Sequence, residues 1–330
     1  MQSMYVGDIG DYGKCGLLRA LFPTDYKIGL VWYLVPDESH LNDGNHIDYL
    51  SKSKLKDCDS DLFLTLKNII SSGKRNISEI EQSNIFPNQT AFYSDYLSYE
   101  GINANSPAGR QKRLLLREEW LGNALKTVQN CDAIFLDPDN GLETPSCKKH
   151  TAKAPKYVYY DEVEKFLSIT DTLIIYHHLG RTGTHASQIE QRASKLQDVA
   201  GDSYKVISLC FKPYSPRAYF IITKQNEVIE KVKQFYNSTW KKCFELFEYD
   251  IRLEQMQNRI NINLKGEVVM GMPKAQRSQQ SITTRIKKLR NQGSLSPKDF
   301  ELLDRRTHEL YDLAKEANKL EEIQKIIERR

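Results

Sequence analysis

Two short polar clusters carry the side chains best suited to chemistry. The first is residues 137–141, Asp-Pro-Asp-Asn-Gly, and the second is the His-His pair at 177–178, with Arg181 and His185 close behind it. Aspartate and histidine can exchange protons or bind metal ions, and arginine pairs with anionic groups. Each residue alone also fits a structural role, as a turn, a helix cap or a core histidine. Because both clusters follow apolar runs typical of buried strands, we expect them to share a cleft. The candidate residues are Asp137, Asp139, Asn140, His177, His178 and Arg181.

The elements that must position these clusters alternate between strands and helices. Short apolar runs predict strands at residues 28–35, 90–94, 133–136 and 172–176. Apolar residues at helical spacing predict helices at 16–22, 59–70, 107–128, 161–167 and 185–199. Two further strands, 204–211 and 217–223, are separated by only five residues, which predicts an antiparallel pair. The expected fold is therefore α/β, with a mainly parallel sheet that is covered on both faces and closed by an antiparallel strand. In such sheets ligands bind outside the carboxyl ends of the strands.

A third polar stretch, residues 8–14 (Asp-Ile-Gly-Asp-Tyr-Gly-Lys), opens the first predicted helix. Its glycines allow the backbone to approach a ligand closely, and amides at a helix N-terminus attract anions. An ordinary capped turn is an equally good interpretation. The stretch lacks the Gly-Lys-Ser/Thr that a phosphate-binding Walker loop requires.

Taken together, these residues resemble class I S-adenosylmethionine-dependent methyltransferases. The order of strands and helices over about residues 90–225 is similar to the second half of that fold. Residues 137–140 stand where amino-methyltransferases carry Asp-Pro-Pro-Tyr. Residues 11–14, Asp-Tyr-Gly-Lys, are similar to the start of enzymes that methylate an adenine amino group in ribosomal RNA.

The resemblance implies a Rossmann-like fold, S-adenosylmethionine as cofactor and a nucleic acid as substrate. By the same resemblance Asp137 would accept a hydrogen bond from the target amine. Asp95 would lie near the adenine of the cofactor, and Asp11 and Lys14 would lie on the cofactor side of the site. Three features differ from the family's pattern: no glycine-rich loop follows strand 28–35, Asp139 replaces the second proline, and Asn140 replaces the base-stacking aromatic residue.

The same residues also allow a metal-dependent interpretation. Asp137, Asp139 and His177, together with His178 or His185, offer the carboxylate and imidazole ligands that suit Mg²⁺, Mn²⁺ or Zn²⁺. Such an ion can activate water for cleavage of a phosphodiester, and Arg181 and Lys14 could neutralise the phosphate. A metal-dependent nuclease or phosphodiesterase is therefore the alternative activity.

The charge distribution separates the chain into two parts. The net charge is +4 overall, but residues 251–330 hold 17 lysines and arginines against 11 acidic residues, whereas residues 1–250 are slightly acidic. No aromatic residue occurs between Tyr249 and Phe300. These shifts predict an α/β domain at 1–250, a basic linker at 251–280 and a helical hairpin or coiled coil at 281–330.

The tail offers a third class of function. Its basic stretch 265–290 could contact nucleic-acid phosphates, and the apolar seam over 297–329 could pair with a second copy or with a partner helix. A non-catalytic protein that binds nucleic acid or oligomerises through this tail is the non-enzymatic alternative.

Composition excludes several other classes. The content of 40% hydrophobic and 27% charged residues excludes a wholly disordered or collagen-like chain. No apolar run is long enough to cross a membrane, and the first ten residues lack the pattern of a secretory signal. The six cysteines contain no C-x-x-C pair, so we expect reduced thiols and a cytoplasmic protein.

Overall fold

A mixed sheet forms the centre of the computed structural model, which describes residues 1–37, 44–51 and 53–248. The strands in the described chain are β1 (Ile28–Val31), β2 (Ala91–Tyr93), β3 (Ala133–Leu136), β4 (Gly141–Leu142), β5 (Tyr157–Val158), β6 (Thr172–His178), β7 (Lys205–Phe211), β8 (Arg217–Thr223) and β9 (Phe244–Glu248). Strands β4 and β5 pair separately, and the others form the central sheet. The α-helices in the described chain are α1 (Ile9–Leu21), α2 (Ser53–Lys56), α3 (Ser60–Ser71), α4 (Ile77–Glu81), α5 (Pro107–Val128), α6 (Tyr160–Leu167), α7 (His185–Ala200) and α8 (Asn226–Asn237).

The main sheet has the strand order β2-β1-β3-β6-β8-β7-β9 within the described residues. Strands β2, β1, β3 and β6 are parallel neighbours. Strand β8 is antiparallel to β6 and to β7, and β9 is antiparallel to β7. The described part of the chain is therefore a Rossmann-like α/β domain with a mostly parallel sheet, as the sequence predicts. Strand β1 lies between β2, which follows it in the chain, and β3, which follows β2. The strand order therefore reverses beside β1, where such sheets usually bind ligands.

Alternation of side chains along the strands builds two hydrophobic layers. Leu30 and Phe135 pack with residues of α1, α3 and α8 on what we call the α1 face. Their neighbours Val31 and Leu136 pack with residues of α5, α6 and α7 on the α5 face. Successive residues at a strand end therefore reach opposite sides of the sheet. This alternation later decides which polar side chains can meet.

Local sequence signals explain several of the boundaries. Asp59 caps α3 by accepting a hydrogen bond from Leu62 N at 2.9 Å, so the helix begins at Ser60. Ser106 caps α5 in the same way, with Pro107 in the first turn. Helix α5 and strands β3 and β8 have the bounds that the sequence predicts.

Several features differ from the predicted elements. Helix α1 begins at Ile9, seven residues before its predicted start. Strand β1 ends at Val31, four residues early, and Tyr33 just beyond it has a positive φ of 47°. Strand β6 continues through His177 and His178, which therefore alternate between faces instead of forming a loop beyond the strand. Helix α8 and strand β9 were not predicted. The proposed linker 251–280, the tail 281–330 and the functions assigned to 265–290 and 297–329 lie outside the described residues.

Helix α1 packs very closely on the sheet because glycine occupies every third position of its inner side, at Gly10, Gly13 and Gly16. A Cβ atom added at any of the three would lie 2.8 Å or less from a neighbouring side chain. The side chains concerned are Arg217, Phe211 and Trp240. The close approach brings the first two turns of α1 against the carboxyl ends of the strands.

Among the described residues, no helix has both the length and the apolar character needed to cross a membrane.

The packing of α1 gives a stability prediction. In Gly13→Ala the added Cβ would meet the ring of the fully buried Phe211 at 2.8 Å, so we expect a loss of about 1–3 kcal/mol in the free energy of unfolding. Gly122→Ala is the matched control, because Gly122 is exposed on α5 and a Cβ there would meet no atom within 4 Å. That change should stabilise the protein by roughly 0.5–1 kcal/mol. Urea unfolding measures both, and equal effects of the two substitutions would contradict the close packing of α1.

Candidate functional site

The carboxyl edge of the sheet gathers polar side chains on the α1 face. Trp32 follows β1, Asp137 follows β3, Tyr176 lies near the end of β6, and Arg217 begins the antiparallel strand β8 at the same edge. Each of these residues is two positions along the chain from a core residue of the α1 face, as Trp32 is from Leu30. Strand alternation therefore directs all four toward α1.

Helix α1 supplies the charged partners. Lys14 Nζ lies 2.7 Å from Asp11 Oδ1 and 2.8 Å from Asp137 Oδ2, and the three side chains are each at most 5% exposed. The ammonium group also lies 5.0 Å from the centre of the Trp32 ring. Asp11 is held in turn by Gly7 N, which donates to its Oδ2 at 2.9 Å. We call Asp11, Lys14 and Asp137 the buried triad.

The triad keeps Lys14 charged. Burial opposes the charge of Lys14, but the carboxylates of Asp11 and Asp137 outweigh burial and raise its pKa well above the ordinary value. For Asp137 burial is the larger effect, so its pKa is raised despite the attraction of Lys14. Asp137 is therefore a carboxylate that binds a proton more readily than an exposed aspartate, and it is fixed in place by a permanent cation.

A second group of polar residues lies beside the triad. Asp8 caps α1 by accepting hydrogen bonds from Gly10 N and Asp11 N, and burial raises its pKa although Arg217 opposes the shift. Arg217 is 6% exposed, and its Nη1 atom is buried without a hydrogen-bond partner among the described residues. The hydroxyl of Tyr219 is also buried without a hydrogen-bond partner among the described residues. Buried polar atoms without partners are rare in proteins, so these two distinguish this corner of the edge.

The sequence marks Asp11, Lys14 and Asp137 as separate candidates and does not predict their ion pairs, and it does not mark Arg217 or Tyr219. The signal for Arg217 was present, since an arginine begins an otherwise apolar strand, Arg-Ala-Tyr-Phe-Ile-Ile-Thr. A charged residue at the start of a fully buried strand indicates either a buried ion pair or a binding site.

His177 does not join the triad, because it points to the α5 face. Its Nδ1 accepts a hydrogen bond from Leu142 N at 3.0 Å. Gly141 has a φ of 102° and lies so close that an added Cβ would be 2.2 Å from that nitrogen. Burial, together with Arg192 and His178, lowers the pKa of His177 well below its usual value. The ring is therefore neutral and fastens the turn after β3 to β6.

Asp139 lies apart from Asp137 and has its own partners. Its Oδ2 accepts a hydrogen bond from Gln2 Nε2 at 2.9 Å and pairs with Lys156 Nζ at 3.0 Å. Burial alone would raise its pKa, but the amino group of Met1 and Lys156 lower it. Asn140 contributes its backbone, which bonds to Lys156 O and to His178 N. These residues brace the loop after β3.

The other candidate residues lie at the surface of the same edge. The side chains of His178, Arg181 and His185 are exposed. Asp95 is also exposed, and its carbonyl oxygen accepts a hydrogen bond from Trp120 Nε1 at 2.9 Å. Of the ten candidates from the sequence, Asp11, Lys14 and Asp137 are thus joined to one another in direct ion pairs.

The metal-dependent interpretation requires several side chains that can bind one metal ion together. Within residues 1–37, 44–51 and 53–248, no group of three or more histidines, cysteines or acidic residues is arranged to hold a metal ion. The Nδ1 atom of His177 is already engaged by Leu142, and Asp137 and Asp139 are paired with Lys14 and Lys156 respectively.

A cavity of about 590 Å³ opens at the same edge, beyond β1 and β2. Residues 35–37 line one side and residues 97–103 the other, with Arg113 and Lys156 at its wall. The segments that follow β1 and β2 remain hydrogen-bonded to each other as far as the cavity, since Leu97 N donates to Leu34 O at 2.8 Å. Because these two segments stay paired after the strands, the cavity lies beyond the ends of β1 and β2. Lys156 links it to Asp139 and the loop after β3.

No protein-family model matches this chain, and no curated protein matches it with significance.

The buried His177 gives a prediction for pH dependence. Its folded-state pKa lies below the unfolded value of about 6.5, so only the unfolded chain takes up its proton as the pH falls through that value. The histidine therefore costs stability below about pH 6.5, by up to about 1.4 kcal/mol per pH unit. In His177→Asn, whose Oδ1 can accept from Leu142 N, the fall in stability between about pH 7.5 and 5.5 should be smaller than in the parent.

The control for this prediction is His185→Asn, since His185 is exposed. Urea unfolding at several pH values compares the three proteins. If His177→Asn and the parent lose the same stability on acidification, the histidine is not held neutral in the fold.

Proposed function

We propose that this chain is an S-adenosylmethionine-dependent methyltransferase that acts on an amino group of a nucleic acid. One observation carries the proposal: Lys14 and Asp137, which belong to the two motifs that resemble this family, form a buried ion pair at 2.8 Å across 123 positions of sequence. Neither motif predicts the other locally. Their meeting at the end of β3 supports the interpretation of both as parts of one site.

The sheet topology is a second line of support. Asp137 follows β3 beside the point where the strand order reverses, which is the usual ligand position in open α/β sheets. The antiparallel strand β8 lies between β6 and β7, so the closing pair on which the resemblance rests is present in the sheet.

The cavity beyond β1 and β2 fits the chemistry of the cofactor. Its volume of about 590 Å³ lies within the range of about 300–1,000 Å³ that is usual for small-molecule sites. Asp37 and Glu100 lie on its two sides and can accept hydrogen bonds from ribose hydroxyls, and Lys156 can pair with the carboxylate of the methionine moiety. S-adenosylmethionine, when bound, supplies an electrophilic methyl group.

Asp137 is the proposed catalytic residue. Lys14 engages its Oδ2, and a carboxylate has about four acceptor positions, so Asp137 keeps capacity for an N–H of the target amine. An amino nitrogen that gains a carbon substituent must lose a proton, and the raised pKa of Asp137 makes this carboxylate a better acceptor for it. Lys14 is a positioning residue, because it fixes the orientation of the Asp137 carboxylate through the ion pair.

The first test measures cofactor binding. Isothermal titration calorimetry should detect binding of S-adenosylmethionine to the full chain, and Glu100→Gln should weaken it about tenfold because a charged acceptor is lost. Glu118→Gln, an exposed position on α5, should bind like the parent. Absence of heat at millimolar ligand would contradict the proposal, and equal binding by both variants would exclude Glu100 from the site.

The second test measures methyl transfer. With a mixture of RNA and DNA and labelled S-adenosylmethionine, mass spectrometry of the nucleosides should find methylated bases. Asp137→Asn should lower the rate by about 100-fold or more, since it removes the charged acceptor at the reacting group. Asp139→Asn should lower it far less, because Asp139 is engaged by Gln2 and Lys156.

Folding is controlled by urea unfolding of both variants. The role of Asp137 is refuted if Asp137→Asn retains the parent rate, or if both variants lose the same activity in proportion to their loss of stability.

A further inference from the structure

The turn between β7 and β8 holds an exposed tyrosine in a strained conformation. This hairpin turn, residues 212–216, reads Lys-Pro-Tyr-Ser-Pro. Tyr214 at its centre has a φ of 61° and is 43% exposed. Glycine or asparagine is the usual residue for a left-handed position in a hairpin turn. A bulky side chain is strained there, and such strain is typically found where a site requires it.

Several contacts hold the ring of Tyr214 in place. Its hydroxyl donates to Asp48 Oδ1, and its ring lies 4.9 Å from that of His46, tilted by 45°. Both ends of the turn are anchored, since Lys212 N donates to Cys243 O at 2.9 Å and Leu179 N donates to Pro216 O at 3.4 Å. The two prolines restrict the backbone further. The aromatic pair is therefore presented at the surface in one fixed arrangement, which lowers the cost of binding a ligand.

The aromatic pair lies at the same sheet edge as the triad. The carbonyl of His46 accepts a hydrogen bond from Ile9 N at the start of α1, at 3.0 Å. On the other side, Pro216 leads directly into Arg217, whose Nη1 has no partner among the described residues. Lys212, two residues before Tyr214 in the turn, has an exposed side chain.

Arg181, two residues after Leu179, also has an exposed side chain. Aromatic side chains held at the surface are the features on which proteins stack unpaired bases.

We infer that Tyr214 and His46 form a stacking site for an unpaired nucleobase of the substrate strand. This inference rests on the proposed function, and it names the part of the protein that contacts the nucleic acid. It also answers a difference from the family's pattern, since Asn140 replaces the aromatic residue that would stack on the base. Here the aromatic surface comes from a different loop of the same edge.

The test uses single-stranded RNA and DNA oligonucleotides that contain 2-aminopurine, whose fluorescence is quenched on stacking. Titrations with the full chain are made at about 0.3 M salt, which weakens phosphate contacts made elsewhere in the chain. Tyr214→Gly should lose about tenfold in affinity together with the quenching. Because glycine relieves the left-handed strain, this variant should fold without difficulty.

Three further variants separate stacking from structure. Tyr214→Phe keeps the ring and should bind within about twofold of the parent, and His46→Ala should lose part of the affinity. Tyr26→Ala is the matched control, because Tyr26 donates to Glu227 as Tyr214 does to Asp48 but lies before β1 at the opposite edge. The control should bind like the parent.

The stacking site is refuted if Tyr214→Gly keeps the affinity and quenching of the parent, or if Tyr214→Gly and Tyr26→Ala lose equally. Calorimetry with S-adenosylmethionine on the same proteins separates this result from the proposed activity. If the parent does not bind S-adenosylmethionine, the methyltransferase proposal is refuted. If the parent binds it and only Tyr214→Gly loses the quenching, the stacking site is supported. The oligonucleotide that binds more tightly, RNA or DNA, identifies the type of nucleic acid that the site prefers.

Discussion

The buried ion pair between Lys14 and Asp137 is the interaction on which the arrangement of this domain depends. A charge taken out of water costs several kcal/mol unless it is paired, and removing one partner of a buried pair is strongly destabilising. The ammonium of Lys14 must therefore stay between Asp11 and Asp137, which fixes α1 against the end of β3. The glycines on the inner side of α1 allow this approach, and the approach in turn buries the charges more deeply.

Two buried arginines differ in how completely their guanidinium groups are bonded. Arg117 on α5 is 2% exposed, pairs with Glu162 at 2.6 Å and donates to the carbonyls of Ala154 and Tyr157, which ties α5 to the chain around the start of α6. Arg217 is 6% exposed, and its Nη1 has no hydrogen-bond partner among the described residues. The cavity beyond β1 and β2 is lined by Leu97 and Tyr99 of the α5-face core and by Arg113 of α5. The proposed site therefore draws on both faces of the sheet edge.

The sequence predicts the elements better than it predicts the site. Helix α5 and strands β3 and β8 follow from a capped helix start and short apolar runs, which are local signals. The apolar run predicts that the strand ends at Tyr176, just before the two histidines, whereas strand pairing with β8 continues through His178. The face that each histidine occupies depends on that register, which only the folded sheet determines.

The candidate residues show the same limit. Asp11, Lys14 and Asp137 were each marked by residue type and position, but their ion pairs join parts of the chain that no local pattern connects. Arg217 and Tyr214 carried weak signals, a charge at the start of an apolar strand and a tyrosine between two prolines. Their significance depends on buried partners and on backbone conformation, which become visible only in three dimensions.

The most direct test of this account is a crystal structure of the full chain with S-adenosylhomocysteine, the product that the proposed cofactor would leave. The account predicts density for the ligand in the cavity between residues 35–37 and 97–103, with its sulfur on the side of Asp137 and the Lys14–Asp137 pair intact. The absence of ligand at saturating concentration, or its binding away from the carboxyl edge of the sheet, would contradict the central claim.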